Sequence, residues 1–493
     1  MDEILSFGTI VLVVAAALAL ALLVIRLTDR FPIPNPALFL VAAAIASDIF
    51  PAISDHFSVR SAERIGVIAL ILILFDGGMD VGWRRFRRAA LPIASLGVVG
   101  TFATAAVIAV CARFLFDFDW TTAGIIGAAL APTDPAVMFS VLGNREVRGR
   151  TATILEGESG ANDPVGIALM IAVLEFAIHG HASTWMAIAE FVISMAVGLA
   201  IGVAGAALLI PAMRRFELPS EGLYPLRTLA GALVIYSVAT VAHGSGFLAV
   251  FVAGLLVGDI RAPYKTEIES FHKSLASLGE IVVFTGLGLT VSLSVLGQTS
   301  VWLDGLLLAL LLAFIVRPLV VGALLIPVRL RLGERLFVCW GGLRGAVPIL
   351  LGTLVLLEQV DGAGRVYGII FVVVTFSVVV QGSSMPFLAP VLGVRMRRIE
   401  PRPWNVSVRT RTEPRDVRRY IVSSGSRAVG RAIRDLPLGE HAWISMLIRR
   451  GKPHPPRGST VLEPGDELVL HVEVEDEPTL RRLFEGHVQT ARA

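Results

Sequence analysis

An amide and a carboxylate, Asn162 and Asp163, stand side by side in a stretch from Thr151 to Met170 that is otherwise largely apolar. An ionisable side chain near the centre of a bilayer costs at least roughly 2.5–3.5 kcal/mol, and such residues mark ion or proton pathways. A carboxyl group in a partly desolvated cavity holds either a proton or a small cation. Competition for Asp163 would couple a cation flux to a proton flux without ATP, with Asn162 supporting the site.

A second group of polar residues interrupts another apolar run and also indicates an ion pathway. Pro132 and Pro135 flank Thr133 and Asp134 in the fifth apolar run. Each proline removes a backbone donor and clashes with the preceding helical turn, so we expect the helix to unwind there. Unwinding exposes carbonyl groups that can coordinate a cation, with Thr133 and Asp134 beside them. A simple proline kink is the alternative, and the exchange stoichiometry is open if Asp134 also titrates.

The twelfth apolar run is interrupted by small residues, an arginine and a proline. Its interrupting residues are Gly341, Gly342, Arg344, Gly345 and Pro348. Interrupted helices at corresponding positions of two halves point to a transporter binding site. The fifth and twelfth runs are seven apart, and this odd offset reverses direction across the membrane. We therefore expect inverted repeats whose two broken helices cross at the midplane.

Arg344 needs a partner, because an unpaired guanidinium within a membrane is very costly. The acids on the central helices are Glu156, Glu158, Asp163 and Asp134. We assign Glu158 to Arg344 as a structural ion pair. That assignment leaves Asp163 free for the transported cation or proton.

These residues require membrane helices to position them. The chain has 493 residues, of which 55% are hydrophobic and only 17% charged, whereas soluble domains carry about 25% charged residues. A spanning helix needs about 20 apolar residues, and about thirteen such runs are present. They start near Leu5, Pro36, Ile65, Ala89, Thr121, Thr151, Met186, Thr228, Gly246, Leu275, Trp302, Leu336 and Tyr367.

Basic residues recur in alternate loops. They lie at 26–30, 84–88, 145–150, 214–215, 261–273, 329–335 and 395–398, while the other loops carry few apart from Arg60, Arg64 and Arg365. This positive-inside pattern places the N-terminus outside and the C-terminus in the cytoplasm. The acidic start Met1-Asp-Glu-Ile argues against a cleaved signal peptide. Cys111 and Cys339 fall in apolar runs and predict no disulfide framework or metal site.

The composition changes after residue 398. We expect a transmembrane domain at 1–398, a linker at 399–405 and a small cytoplasmic α+β domain at 406–493. Alternating residues from Glu467 to Glu473 predict a half-buried strand, and Arg427 to Leu436 predicts a short helix. The whole is an all-α polytopic membrane protein with a small α+β tail.

Three motifs in order resemble the cation:proton antiporter family 1, the NhaP-type exchangers of sodium or potassium for protons. The motifs are Pro132-Thr-Asp-Pro135, Gly157-Glu-Ser159 with Asn162-Asp-Pro164, and Gly341-Gly-Leu-Arg-Gly-Ala-Val-Pro348. The resemblance implies a homodimer in the bacterial inner membrane that serves pH homeostasis. It also implies cation ligands at Thr133, Asp134, Ser159 and Asp163, support from Asn162, and the structural Glu158–Arg344 pair.

The tail resembles the TrkA-C type of regulatory domain at 428–439, 445–456 and 464–470. This resemblance implies a dimeric module that binds a small ligand such as a nucleotide, and it favours K⁺ over Na⁺. The tail carries no Gly-rich dinucleotide fingerprint. We expect no cofactor and no nucleic-acid partner; membrane lipid, H⁺, and K⁺ or Na⁺ are the expected partners.

The sequence is less consistent with two other transport classes. A tail-gated cation channel would need a repeated pore-loop filter, and the sequence has no Thr-Val-Gly-type loop. A cation-coupled symporter for an organic solute would need more polar groups at the midplane than the few acidic ones here. No cytoplasmic constellation of catalytic residues indicates an enzyme.

Overall fold

The computed structural model describes most of the chain. The described residues are 19, 21–23, 34–49, 57–134, 137–138, 142, 145–147, 149–179, 184–398, 417–438, 442–450, 452–472 and 477–484. The chain divides into two compact units, Met1–Pro401 and Arg402–Ala493. Most of the helix predicted from Leu5 and the linker predicted at 399–405 lie outside the described residues.

The first unit is built from helices. They are α1 (Asn35–Ile49), α2 (Val59–Val81), α3 (Trp83–Arg88), α4 (Ala90–Ala94), α5 (Thr101–Leu115), α6 (Trp120–Leu130), α7 (Arg150–His179), α8 (Thr184–Arg215), α9 (Leu223–Val241), α10 (Gly246–Gly258), α11 (Lys265–Leu289), α12 (Leu293–Leu296), α13 (Thr299–Leu311), α14 (Arg317–Leu324), α15 (Leu332–Gly341), α16 (Ala346–Leu357), α17 (Ala363–Phe376) and α18 (Ser383–Val391). The π-helical segments Ser95–Gly100, Leu312–Val316 and Ser377–Gly382 join α4 to α5, α13 to α14, and α17 to α18.

Within the described part of the chain, seven helical stretches are long and apolar enough to cross a membrane. They are Ala90–Leu115, Arg150–Ile178, Ile188–Arg215, Leu223–Val241, Thr299–Leu324, Leu332–Leu357 and Ala363–Val391. Shorter apolar helices occupy Asn35–Ile49, Trp120–Leu130 and Gly246–Gly258. The polytopic helical architecture is thus confirmed, while the count of about thirteen spans stays a prediction.

One helix begins earlier than expected. The tenth apolar run was predicted to start near Leu275, but α11 begins at Lys265. The added turns are polar on one side and bury Ile268 and His272 on the other. An amphipathic extension of this kind lowers the local hydropathy without ending the helix.

Both predicted interruptions are present. Helix α6 ends at Leu130, and residues 131–134 are not helical. Helix α15 ends at Gly341, and residues 342–345 are not helical before α16 begins at Ala346. The Asp134 backbone N–H donates to the Leu343 carbonyl at 2.8 Å. The two unwound segments therefore meet, as expected for crossed broken helices.

Helix α7 lies at the centre of this arrangement. It packs against α6, against both halves of the second broken helix (α15 and α16), and against the π-helical segment Ser95–Gly100. Gly97 of that segment lies so close to α7 that a Cβ there would come within 2.6 Å of the Ala161 Cβ. This packing brings the polar residues of α7 to the crossing.

The first unit also contains two short strands. Strand β1 (Arg145–Val147) precedes α7, and strand β2 (Met396–Arg398) follows α18. They pair antiparallel, with Glu146 opposite Arg397.

The second unit is a small α+β domain, as predicted. Strands β3 (Val417–Ile421), β4 (Ala442–Arg449), β5 (Lys452–His454) and β6 (Glu467–Val472) form an antiparallel sheet in the order β3-β6-β4-β5. Helix α19 (Glu477–Phe484) follows the sheet and buries Phe484. Strand β6 confirms the strand predicted from Glu467.

The short helix predicted from Arg427 to Leu436 is wrong. That stretch contains turns and one 3₁₀ turn, Ile433–Asp435. Gly430 has a φ of +74°, which an α-helix cannot contain. Backbone N–H groups of Gly430, Ile433 and Arg434 donate to carbonyls at 458–462 instead of to their own preceding turn.

Candidate functional site

Three buried polar side chains meet where α6 unwinds against α7. The Asn162 amide Nδ2 donates to the Thr133 hydroxyl at 2.8 Å, and the Thr133 backbone N–H approaches the Asn162 Oδ1 at 3.4 Å. The Thr133 and Ser159 hydroxyl oxygens lie 3.2 Å apart. Each of these three side chains is less than 5% exposed. The bonds to Asn162 hold the unwound segment on α7, and the hydroxyl oxygens are of the kind that alkali cations accept as ligands.

Two carboxylates adjoin this trio. Asp163 is 5% exposed, and its Oδ1 has no hydrogen-bond partner among the described residues. Asp134, half-buried at the crossing, lies close enough for its charge to act on Asp163. The structure thus gathers the five residues that sequence reasoning selected: Thr133, Asp134, Ser159, Asn162 and Asp163.

The glycines of the second broken helix make room at the crossing. A Cβ at Gly345 would collide with the Asp134 carboxylate, and a Cβ at Gly342 would collide with the Arg317 guanidinium. A Cβ at Gly341 would lie 3.2 Å from the Met385 side chain. The absence of side chains at Gly342 and Gly345 therefore lets charged groups approach the unwound backbone.

The predicted ion pair between Glu158 and Arg344 is wrong, because Glu158 pairs with a different arginine. Glu158 pairs with Arg317, whose Nη2 lies 2.9 Å from Glu158 Oε1, and both side chains are at least 96% buried. Arg317 also donates from Nε to the Cys339 carbonyl at 2.9 Å and from Nη2 to the Val338 carbonyl at 3.3 Å. One guanidinium thus holds Glu158 of α7 against the end of α15.

Arg344 binds backbone carbonyls instead of a carboxylate. Its Nε donates to the Leu130 carbonyl at 2.8 Å and its Nη1 to the Gly342 carbonyl at 2.6 Å, while its backbone N–H donates to the Ser377 hydroxyl at 2.9 Å. Leu130 is the last residue of α6, and Gly342 directly follows α15. A helix C-terminus carries a partial negative charge. The positive charge of Arg344 therefore offsets the partial negative charge at the C-terminal ends of both half-helices.

Sequence reasoning missed Arg317, Ser377 and the π-helical segments. Arg317 follows the π-helical segment Leu312–Val316, and Ser377 begins another. Such segments occur frequently at functional sites. A signal for Arg317 existed, because it is a charged residue inside the apolar run from Thr299 to Leu324. A charged side chain within a membrane-spanning run marks a functional or paired position, and this rule, which selected Asp163, applies equally to Arg317.

A third carboxylate faces the crossing from α11. The Glu280 Oε1 is buried without a hydrogen-bond partner in the described part of the chain, and the charge of Asp134 acts on it. Glu280 follows Gly279 in the sequence, and that position alone gives no reason to place it near Asp134.

Comparison with known proteins agrees with this architecture. Residues 13–390 match the family described as sodium/hydrogen exchanger, transmembrane, and residues 417–485 match the TrkA-C domain. The K(+)/H(+) antiporter NhaP2 of Shewanella sp. (strain ANA-3) is 30% identical over 497 residues, which cover 98% of this chain and 85% of that protein. The K(+)/H(+) antiporter NhaP of Alkalimonas amylolytica is 35% identical over 381 residues, covering 76% of this chain and 65% of that protein.

A solved structure shares the fold. The sodium proton antiporter MjNhaP1 from Methanocaldococcus jannaschii matches with a TM-score of 0.68 at 24% identity, covering 80% of this chain and 99% of that chain. The match over residues 13–390 and the relatives at 30% identity or more confirm the resemblance that the three motifs carried. The chain belongs to the sodium/hydrogen exchanger family of transmembrane cation:proton antiporters, and is a secondary transporter rather than an enzyme.

Proposed function

We propose that this chain exchanges K⁺ for H⁺ across the membrane, with Asp163 carrying either ion. The observation behind this proposal is the buried Oδ1 of Asp163, which has no hydrogen-bond partner in the described part of the chain and stands one helical turn after Ser159 on α7. A carboxylate oxygen without a donor, in a largely dehydrated site, requires a cation or a proton to offset its charge. The neighbouring hydroxyl oxygens supply further ligands for a cation.

The exchange follows from competition at one carboxylate. When Asp163 is ionised, it binds the cation with help from Thr133, Ser159 and Asp134. When Asp163 is protonated, the cation loses its principal counter-charge and leaves. Alternating access carries the occupied site across the membrane, whereas the empty charged site crosses poorly because of its desolvation cost. Asn162 keeps the unwound segment in place through its bonds to Thr133.

The choice of K⁺ over Na⁺ rests on two supports. Both relatives described above are named K(+)/H(+) antiporters, and TrkA-C tails accompany potassium transport. One carboxylate that exchanges one monovalent cation for one proton makes the cycle electroneutral. If Asp134 also takes up a proton, the cycle instead moves net charge.

The arrangement in the cell is part of the same proposal. The chain lies in the bacterial inner membrane as a homodimer, with its N-terminus outside. The alternation of basic and non-basic loops supports this orientation. The domain at 406–493 then lies in the cytoplasm, where it regulates exchange through a small ligand such as a nucleotide.

Proteoliposomes that contain a pH dye test the proposal directly. Addition of K⁺, Na⁺ or Li⁺ in turn should collapse a pH gradient, with K⁺ most effective. Asp163→Asn should abolish the response, since an amide cannot exchange a proton for a cation. Asp361→Asn is the matched control, because Asp361 is an exposed acid between helices. Near-normal exchange by Asp163→Asn would refute the mechanism.

An imposed membrane potential tests the stoichiometry. An electroneutral cycle should give the same initial rate at zero potential and at either polarity. A rate that changes with potential would show that the cycle moves net charge. Asp134→Asn would then distinguish the second carrier, because it should remove the voltage dependence if Asp134 is that group.

A further inference from the structure

The segment that leads to the tail contacts the loop between the two helices of the ion site. We define Leu392–Arg398 as the tail connector; it follows α18 and contains β2. Strand β2 pairs antiparallel with β1, so that Arg398, Arg397 and Met396 lie opposite Arg145, Glu146 and Val147. Strand β1 lies in the chain between the unwound residues 131–134 and helix α7, which carries Asp163. We call this strand pair the ribbon.

The tail connector also contacts the second broken helix. A Cβ at Gly333 would collide with the Leu392 carbonyl. Gly333 is the second residue of α15, whose far end binds Arg317 and lies beside Arg344. The backbone of the connector is therefore flush against the first turn of α15.

The connector is thus attached at two points, one for each broken helix. Val147 is 1% exposed and Val394 is 7% exposed, so apolar side chains anchor both the ribbon and the connector. An isolated pair of strands is at best marginally stable in water. A modest bias is enough to open or close such a pair, which makes the ribbon suited to conformational control.

We propose that the tail connector is the link through which the C-terminal domain controls the ion site. The closed ribbon transmits the state of the tail to β1 and α7, and a chain whose ribbon cannot form is uncoupled from its tail. This inference rests on the proposed exchange at Asp163, and it assigns the route by which the tail regulates that exchange.

The test compares the unmodified chain with two full-length variants and two truncated chains in proteoliposomes. The ribbon variant, Met396→Gly with Arg397→Ser and Arg398→Gly, removes side chains that favour a strand. The control variant, Arg409→Gly with Thr410→Ser and Arg411→Gly, removes the same number of arginines beyond the ribbon. The truncation ends after Glu400, and a fourth chain combines it with the ribbon variant.

We expect the effects of the truncation and of the ribbon variant not to add. Truncation should change the cation concentration for half-maximal exchange by about fivefold or more, the usual lower range of allosteric coupling. The ribbon variant should reproduce that change in the full-length chain and should add nothing in the truncated chain. The control variant should behave as the unmodified chain.

Three results would overturn the inference. Truncation could leave exchange unchanged, the ribbon variant could leave the tail's effect intact, or the ribbon variant could change exchange equally with and without the tail. Each shows that the tail does not act through the ribbon. Failure of the proposed function looks different, because the unmodified chain itself would then exchange no cation.

Cross-linking tests the ribbon without any transport assay. Glu146→Cys with Arg397→Cys, in a chain carrying Cys111→Ala and Cys339→Ala, should form a disulfide in the membrane. Directly opposed antiparallel residues lie about 4.5–5.5 Å apart at Cα, within disulfide range. Glu146→Cys alone, in the same cysteine-free background, is the control, because it cannot form an intramolecular disulfide. Absence of the first cross-link would refute the ribbon and with it the inference.

Discussion

Two buried arginines divide two tasks at the crossing. Arg317 neutralises Glu158 and binds the end of α15, while Arg344 binds carbonyl groups at the ends of both half-helices. In the described part of the chain the Asp163 Oδ1 has no hydrogen-bond donor, which is the condition that the proposed exchange requires. The sequence named the wrong arginine for Glu158, and the role of Asp163 stays a prediction.

Removal of either member of the Glu158–Arg317 pair should destabilise the protein strongly. A lone buried charge costs about 3–5 kcal/mol, so Glu158→Gln and Arg317→Met should each lower the thermal denaturation midpoint in detergent. The double variant should recover much of the loss, because no unpaired charge remains.

An exposed ion pair provides the comparison. Arg113 and Asp117 are 36% and 98% exposed, and exposed pairs contribute about 0–1 kcal/mol. Arg113→Met should therefore leave the midpoint nearly unchanged. Equal effects at Arg113 and Arg317 would contradict the buried pair described here.

At the scale of elements, prolines and glycines located both broken helices to within a residue or two. These residues act on the backbone directly, so their effect can be read from the chain. The π-helical segments could not be predicted, because Leu312–Val316 consists of ordinary helix-forming and β-branched residues. Their geometry depends on packing with helices that are distant in sequence. The pairing of Arg317 could not be predicted for the same reason, since Glu158 lies on α7, although the charge of Arg317 within an apolar run did mark the residue itself.

Gly342→Ala should disrupt the contact between Arg317 and Glu158. A Cβ there would occupy the space of the Arg317 guanidinium, so Arg317 must move away from Glu158. We expect a lower denaturation midpoint and slower exchange, measured on the same purified protein. Gly364→Ala is the control, since nothing lies within 4 Å of a Cβ at that helical position. Equal stability of the two variants would contradict the close approach of Arg317.

Over the whole molecule, composition and loop charge established a membrane unit and a separate polar tail. What they could not supply was the pairing of residues far apart in the chain, such as Glu158 with Arg317. The tail illustrates the same limit at small scale. Its strand from Glu467 followed from alternation, whereas the turns at 427–432 depend on contacts with residues 458–462.

The stability of the tail should fall in acid. Burial raises the pKa of Asp466, but hydrogen bonds from the Arg449 guanidinium and the Glu463 backbone outweigh it and hold the pKa below its usual 3.8. A lowered folded-state pKa stabilises the domain above pH 3.8, and this contribution is lost as the pH falls through the folded-state value. Hydrogen exchange at 417–472 in the full chain, corrected for intrinsic rates, should accelerate over that range.

Asp466→Asn should weaken this dependence. Its tail should exchange faster near neutral pH than that of the unmodified chain, and it should accelerate less on acidification. Asp435→Asn is the control, because Asp435 is 61% exposed and its contact with Arg434 is 3.8 Å. An unchanged acid profile in Asp466→Asn would contradict a role for the Arg449 contact.

The hydrogen bond between Asp134 and Leu343 has a consequence for how the molecule moves. Together with the Arg344 contacts to Leu130 and Gly342, it ties the interrupted helices to each other by backbone atoms and one permanent charge. We therefore expect the two interrupted helices to move as one rigid unit rather than to bend about a hinge at the crossing. The proposed ion ligands should then keep their mutual spacing through the exchange cycle, and we expect the water-filled openings on either side to form where the crossing moves against the surrounding helices.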